Sequence, residues 1–227
     1  MLSIDQIRSY PIFKDLSETE LEALASCMVK RYVVKNAYLF LPGNPAGNLY
    51  LVESGMVRVF FCNHKGEEFL LNLAGPRAVI GPPLLMENQI RLLGAAAQLP
   101  SVVLSLAYDD LFRLMGNSRQ LNLNLYIEVA ASTRKLLLHY QSFFTDGLEC
   151  RTAALLLHIG EGASDELHLP VSQTKLASWL GISRGRLNRT LMKFQKQGLI
   201  RLDGPTLYIL DRPGLTRIRD EVMTVKV

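Results

Sequence analysis

Between Ser118 and Phe143 the chain runs without a single Gly or Pro. Breakers are frequent on both sides of that stretch, so it divides the sequence into three regions. Tyr126, Val129, Thr133, Leu136, Tyr140 and Phe143 recur at spacings of three and four, the period of one helix face. Leu123, Ile127, Ala130, Leu137 and Phe144 mark a second stripe, broken at Arg134. A helix that is apolar on more than one face must bury more than one. One face can lie on a neighbouring domain. The simplest supply for the other is a second copy of the same helix, packed as a coiled coil; a core helix within one chain is the alternative. The spacing predicts a dimerisation helix and hinge over residues 118–147, with Tyr126, Val129, Thr133, Leu136 and Tyr140 facing the partner copy.

The region before this helix reads as β-structure. Short runs rich in Val, Leu, Phe and Tyr (Ala37–Leu41, Leu49–Val52, Val57–Cys62, Phe69–Leu73, Val102–Leu106) alternate with Pro42-Gly43-Asn44-Pro45, Glu53-Ser54-Gly55, Asn63-His64-Lys65-Gly66 and Gly75-Pro76. Closely spaced strands of this kind predict a small all-β barrel or jelly roll, here a domain over residues 1–117. A helix precedes it, with Ser17 as N-cap, Glu20 completing a capping box, and Leu21, Leu24 and Met28 on its apolar side. The whole chain is then α+β.

Beyond Phe144-Thr145-Asp146-Gly147, a hinge by composition, residues 148–227 form a third region. Leu148–Ile159 reads as a helix whose apolar side carries Ala153, Leu156, Leu157 and Ile159. Gly160–Glu166 reads as a loop and Leu167–Val171 as a short strand interrupted by Pro170. Ser172 then caps a helix reaching Leu180, Gly181 stops it, and Ser183 caps the next. Helix, short Gly-containing turn, helix is a helix-turn-helix. At about 100° per residue, Leu187, Leu191 and Phe194 fall on one side of the second helix, and Arg186, Arg189, Lys193 and Lys196 on the other. A helix built so can anchor by its apolar side and present its first turns to base edges in a major groove. Arg184 and Arg189 suit guanine, whose O6 and N7 an arginine bonds together. Asn188 lies at the edge of the exposed face, and Lys193 and Lys196 suit phosphates. Gln173, Thr174 and Ser183, at the starts of the two helices, complete the candidate contacts. Gly198–Leu202 and Thr206–Leu210, around Asp203-Gly204-Pro205, add a hairpin and make the element winged.

Charge agrees with this placement. Residues 1–147 hold 13 basic and 13 acidic residues, whereas 148–227 hold 12 and 8, which accounts for the net +4. Leu167–Leu202 contains Lys175, Arg184, Arg186, Arg189, Lys193, Lys196 and Arg201 and no acid, the footprint of phosphate contacts. The longest apolar stretch, Leu92–Ala107, is broken by Gln98, Pro100 and Ser101, so no membrane span is expected. The first residues lack a basic region and an apolar run, so no signal peptide is expected and the protein should be cytoplasmic. Cys27, Cys62 and Cys150 form no CxxC pair, which offers neither a zinc nor an iron–sulfur site. They read as three buried thiols.

At this point the sequence resembles the bacterial Crp/Fnr family of transcription regulators over nearly its whole length. Three stretches carry the likeness: Gly43–Val59 (Gly-Asn-Pro-Ala-Gly-Asn-Leu-Tyr-Leu-Val-Glu-Ser-Gly-Met-Val-Arg-Val), Val171–Arg184 and Leu191–Ile200. The resemblance implies a cyclic-nucleotide-binding-like N-terminal domain that takes an effector, a long dimerisation helix, and a C-terminal winged helix-turn-helix. It implies a homodimer on near-palindromic double-stranded DNA, working with RNA polymerase, although no surface for the polymerase can be read.

Departures from the family pattern are informative. Arg184 and Arg189 match the arginines of an Arg-Glu-x-x-x-Arg recognition motif, but Gly185 stands where the acid would accept from cytosine N4, so an altered operator is expected. Gly81 is followed by Pro82-Pro83 in place of the ribose-binding acid, Leu92-Leu93 take the Arg-Ser position with Arg91 one residue off, and Leu136-Leu137 replace the polar pair that holds a purine. The corresponding effector pocket, from Arg58, Leu71, Gly81, Arg91, Leu136 and Leu137, looks apolar, and a cyclic nucleotide is not expected in it. With Cys27 as the one N-terminal cysteine, neither is an iron–sulfur cluster. Haem stays open, since His64, His139, His158 and His168 are scattered and single out no axial ligand; an apolar small molecule or no effector at all stays open too. A metal-dependent cupin enzyme would need several His and a carboxylate converging, and the barrel stretch holds only His64. No Ser-His-Asp set, P-loop or dinucleotide glycine pattern occurs, so no enzyme is expected. The competing classes are a constitutive regulator with a vestigial pocket and a protein-interaction module whose basic helix meets an acidic partner.

Overall fold

The computed structural model describes residues 2–81, 90–159, 166–168, 172–203 and 206–220. The expected loop before Glu166, Pro170, Pro82-Pro83 and the wing tip Gly204-Pro205 lie outside them, as do the side chains of Phe143 and Phe144. The chain divides into two compact units, Met1–Arg134 and Lys135–Val227.

In the first unit, α1 (Ile4–Arg8), a 3-10 turn (Pro11–Phe13) and α2 (Glu18–Cys27) lead into eight strands: β1 (Val29–Val33), β2 (Tyr38–Phe40), β3 (Asn48–Ser54), β4 (Val57–Cys62), β5 (Glu68–Ala74), β6 (Val79–Ile80), β7 (Gly94–Ala97) and β8 (Ser101–Ala107). Then follow α3 (Tyr108–Met115) and α4 (Arg119–Thr145), which crosses the division between the units. The strands form two antiparallel four-stranded sheets, ordered β1-β8-β3-β6 and β2-β7-β4-β5. This is the jelly-roll form of the expected β-domain, with open sheets instead of a closed barrel.

Strand alternation explains how both faces of β3 and β8 are filled. Tyr50, Val52 and Val103 point between the sheets, where Phe40, Val57, Ala74, Ile80 and Ala95 meet them. Leu49, Leu51, Leu104 and Leu106 point the other way, onto Tyr10, Phe13, Leu21, Leu24, Leu111, Leu121 and Leu125 from the flanking helices. The capping box of α2 forms as expected: the Ser17 N–H donates to Glu20 Oε2 at 2.7 Å, and the Glu20 N–H to Ser17 Oγ at 3.3 Å.

Strands β1, β6 and β7 fall outside the sequence expectation. The four residues of β7, Gly-Ala-Ala-Ala, have little intrinsic strand preference, yet all are buried. Small residues are needed there because the Phe60 ring lies over Gly94, where an added Cβ would sit 3.0 Å from its Cε1 and closer still to other ring atoms. Tertiary packing overrides propensity at this strand.

The second unit contains α5 (Leu148–Ile159), β9 (Glu166–His168), α6 (Gln173–Trp179), α7 (Arg184–Lys196), β10 (Ile200–Asp203), β11 (Thr206–Ile209) and α8 (Arg212–Asp220). Its sheet is ordered β10-β11-β9, so the wing hairpin gains a third strand from before the helix pair. Helix α8 packs on α5, where the buried Cys150 thiol donates to the Arg219 carbonyl at 3.0 Å. Burial, and then Asp146, push that thiol up to about 11. Cys27 and Cys62 are only half-buried, so the expectation of three buried thiols holds for Cys150 alone. No described helix is long and apolar enough to cross a membrane.

Candidate nucleic-acid interface

Local chemistry sets the helix pair. The Ser172 hydroxyl accepts from the Lys175 N–H at 3.4 Å and the Ser183 hydroxyl from the Arg186 N–H at 3.4 Å, each capping its helix. Between them the chain reverses at Gly181, whose φ of 66° is one that a residue with a Cβ adopts at a cost. Leu176, Ala177 and Trp179 of α6 and Leu187, Leu191 and Phe194 of α7 are buried and hold the two helices on the unit.

The opposite face of α7 is open. Ser183, Arg184, Arg186, Asn188, Arg189, Lys193 and Lys196 are all exposed, and so is Thr174 on α6, while Gln173 is half-buried. Every residue singled out for nucleic acid therefore lies in one helix-turn-helix, with the arginines and lysines of α7 pointing away from the core. Gly185 lies in open space, with nothing within 4 Å of an added Cβ. Among the described residues, no acid pairs with Arg184, Arg186, Arg189 or Lys196. Lys193 differs: its ammonium sits 2.6 Å from both carboxylate oxygens of Glu149.

Two neighbours of this surface escaped the sequence reading. Arg151, in the first turn of α5, donates through Nη2 to the carbonyl of Leu180, at the C-terminal cap of α6. It holds the turn from which α7 departs. Burial lowers its pKa, Arg186 acts in the same direction, and Asp146 opposes both. Arg201, counted among the basic residues but given no role, stacks over Tyr208 across the wing at 4.3 Å. Neither contact has a signal in local sequence, because each joins separate elements.

Within the first unit, the residues read as an effector pocket divide, with Arg58 on one face of its sheet and Gly81 and Arg91 together elsewhere. Val57 and Val59 face the intersheet core, so Arg58 between them faces away from it. There Arg58 is buried and bonds Glu68 at 3.0 Å, with Tyr38 and Phe60 alongside. Leu71 falls at a register shift between β4 and β5. Leu136 and Leu137 are 54% and 62% exposed on α4. Gly81 and Arg91 do come together: the Tyr108 hydroxyl accepts from Arg91 Nη1 at 3.0 Å and donates to the Gly81 carbonyl at 2.5 Å. Arg91 is 5% exposed, its Nη2 bonds the Asn48 carbonyl, and its buried Nε has no partner among the described residues. Burial pushes the Tyr108 hydroxyl up to about 12, with Arg91 pulling the other way. The expectation of an apolar interior is thus corrected by a buried cation. A single arginine one position out of register gives no sequence sign that the fold will enclose it. Of the histidines, His64 and His158 are exposed, the latter edge-on to Trp179 at 5.9 Å. No group of three or more His, Cys, Asp or Glu suited to a metal occurs among the described residues.

Residues 30–118 match the family of cyclic nucleotide-binding domains, and residues 150–218 the Crp-like helix-turn-helix domain. The chain is 25% identical to the cyclic AMP receptor protein of Thermus thermophilus, over 97% of this chain and 98% of that protein. It is 24% identical to the anaerobic regulatory protein of Pasteurella multocida, over 92% and 79%. Among solved structures, FixK2 from Bradyrhizobium japonicum shares the fold with a TM-score of 0.75 at 20% identity, covering 84% of this chain and 96% of that one.

Proposed function

The chain belongs to the Crp/Fnr family of transcription regulators, and from that premise we propose that it binds a near-palindromic operator as a homodimer, with Arg184 and Arg189 reading bases. The observation that carries the reading is the exposed face of α7, where Arg184, Arg186 and Arg189 stand together over a buried Leu187-Leu191-Phe194 anchor. Arginine forks matched to guanine give sequence readout, and Lys196, Thr174 and Ser183 fix register on phosphates. Asn188, at the edge of that face, takes either role. Dimerisation is supported by the apolar residues that α4 leaves exposed: Tyr126 at 69%, Leu136 at 54% and Tyr140 at 63%, spaced as one face of a helix. Val129 and Thr133 continue that face. A dimer places two recognition helices in major grooves one helical turn apart, roughly 34 Å. Such a regulator works in the cytoplasm together with RNA polymerase.

Gating by a non-nucleotide small molecule in the roll remains part of the family pattern. A specific observation favours operator binding with no added effector: the guanidinium of Arg91 itself stands between the sheets, over the Phe40 ring. Selection of bound sequences from random duplex DNA, with purified protein and no ligand, tests both points. Enrichment of a near-palindrome supports an effector-independent dimeric reader. Enrichment only after small molecules from cell extract are added supports gating, and no enrichment under either condition overturns the DNA reading.

A further inference from the structure

Glu149 stands in the first turn of α5 and Lys193 in the last turn of α7. Each occupies the helix end at which the backbone dipole already favours its sign. Both side chains are about half accessible, 45% for Glu149 and 51% for Lys193, and an exposed pair of this kind is weak and easily exchanged. Yet its geometry is close, with both carboxylate oxygens 2.6 Å from the ammonium. A carboxylate offers an ammonium what a backbone phosphate offers it: oxygens that share a negative charge at hydrogen-bond distance.

The pairing is selective. Arg184, Arg186, Arg189 and Lys196 on the same helix have no acid among the described residues, and Lys193 alone of the α7 cations meets one. Resting on the DNA-binding reading above, we propose that Glu149 is a built-in phosphate mimic that withholds Lys193 from the DNA backbone. The arginines suited to base edges stay free, while one cation suited only to sequence-independent attraction is held back. Glu149 thereby lowers affinity for DNA of any sequence and leaves base readout to the arginines. This changes the role read for Lys193, from a standing phosphate contact to one that is released only when Glu149 lets go.

Random-sequence duplex DNA is the suitable probe, because every phosphate contact counts on it and no operator need be known. Binding of a fluorescently labelled duplex to the full-length protein is measured over a series of salt concentrations. Glu149→Gln keeps shape and frees Lys193, so its log K against log salt plot should be steeper than that of the parent by about 0.9, one phosphate. Its affinity at low salt should be roughly three- to tenfold higher. In a Lys193→Gln background, adding Glu149→Gln should change neither quantity. Matching melting curves of all four proteins confirm that the substitutions leave the fold intact. Equal slopes for the parent and Glu149→Gln overturn the proposal. So does an equal gain with and without Lys193, which would assign Glu149 a general repulsion of DNA. Absence of binding by every variant overturns the DNA reading itself.

Discussion

The guanidinium carbon of Arg91 lies 4.0 Å from the centroid of the Phe40 ring, between the two sheets of the roll. A cation over an aromatic face in a buried site is stabilised by the ring quadrupole, and among the described residues no carboxylate pairs with it. Arg91→Met keeps the stem but strips the Tyr108 hydroxyl and the Asn48 carbonyl of a donor. It should cost about 1–3 kcal/mol. Arg91→Ala also leaves a cavity and should cost more, about 3–5 kcal/mol. Urea unfolding measures both. A Met variant as stable as the parent would show that the charge contributes nothing to the folded roll.

Arg184→Ala and Arg189→Ala should each weaken binding to a selected operator by about 1–3 kcal/mol and relax the preference at one base pair per half-site. Binding to random DNA should fall far less. Unchanged operator affinity in both variants would remove the base-reading role from this pair.

Gly185→Glu should fold normally, since open space surrounds that position, and alanine-like residues are better tolerated in a helix than Gly. The new carboxylate should shift the selected sequence toward a cytosine, whose N4 donates to it. Repeating the selection from random DNA with the variant checks this. An identical consensus would mean that position 185 does not reach the bases.

Leu136→Glu changes a residue that is 54% exposed in the single chain, so the fold should tolerate it. A charge on an apolar helix seam should nevertheless break a dimer. Sedimentation should report a monomer with an unchanged far-ultraviolet circular dichroism spectrum, and operator binding should fall sharply. A variant that stays dimeric would place the dimer contact elsewhere.

The carboxyl of Glu20 is held below its usual range by the Ser118 hydroxyl first, and then by the Ser17 hydroxyl and N–H. A folded-state pKa lower than the unfolded one gives stability that is complete above the unfolded value and is lost as pH falls through the folded value. Glu20→Gln should therefore destabilise at neutral pH by about 0.5–1.5 kcal/mol. The gap from the parent should close as acid titrates the depressed carboxyl. Thermal melts of both proteins from neutral to acidic pH measure it, and a gap independent of pH would assign the effect to helix propensity.

The helix-turn-helix was legible because its signals are local. Ser172, Gly181 and Ser183 punctuate the chain within a few residues of the backbone groups they serve, and Leu187, Leu191 and Phe194 share one helical period. The Ser17–Glu20 box was legible for the same reason. Strand β7 was not, because Gly94 to Ala97 form a strand only where the Phe60 ring and the neighbouring strands demand small residues. The burial of the Arg91 charge was not legible for a related reason. Phe40, Tyr50 and Tyr108, which surround its guanidinium, come from β2, β3 and α3 and meet only after folding. Glu149 and Arg151 look like ordinary first-turn residues of α5, and their partners Lys193 and Leu180 belong to other parts of the unit. What each helix is made of is written in local spacing, whereas polar contacts such as Glu149–Lys193 and Arg151–Leu180 join residues far apart in the chain.

The sheet of the second unit has β11 as its middle strand, pairing Leu207 with Leu202 on one side and with Leu167 on the other. The strand that joins the sheet is thus the last of the three to be synthesised. A nascent chain that ends before Thr206 already carries both helices of the helix-turn-helix, but β9 and β10 have nothing between them. Ribosome-bound fragments should therefore hold α7 by its packing on α5 and α6, and the three-stranded sheet beneath the wing should close only after translation has passed Ile209.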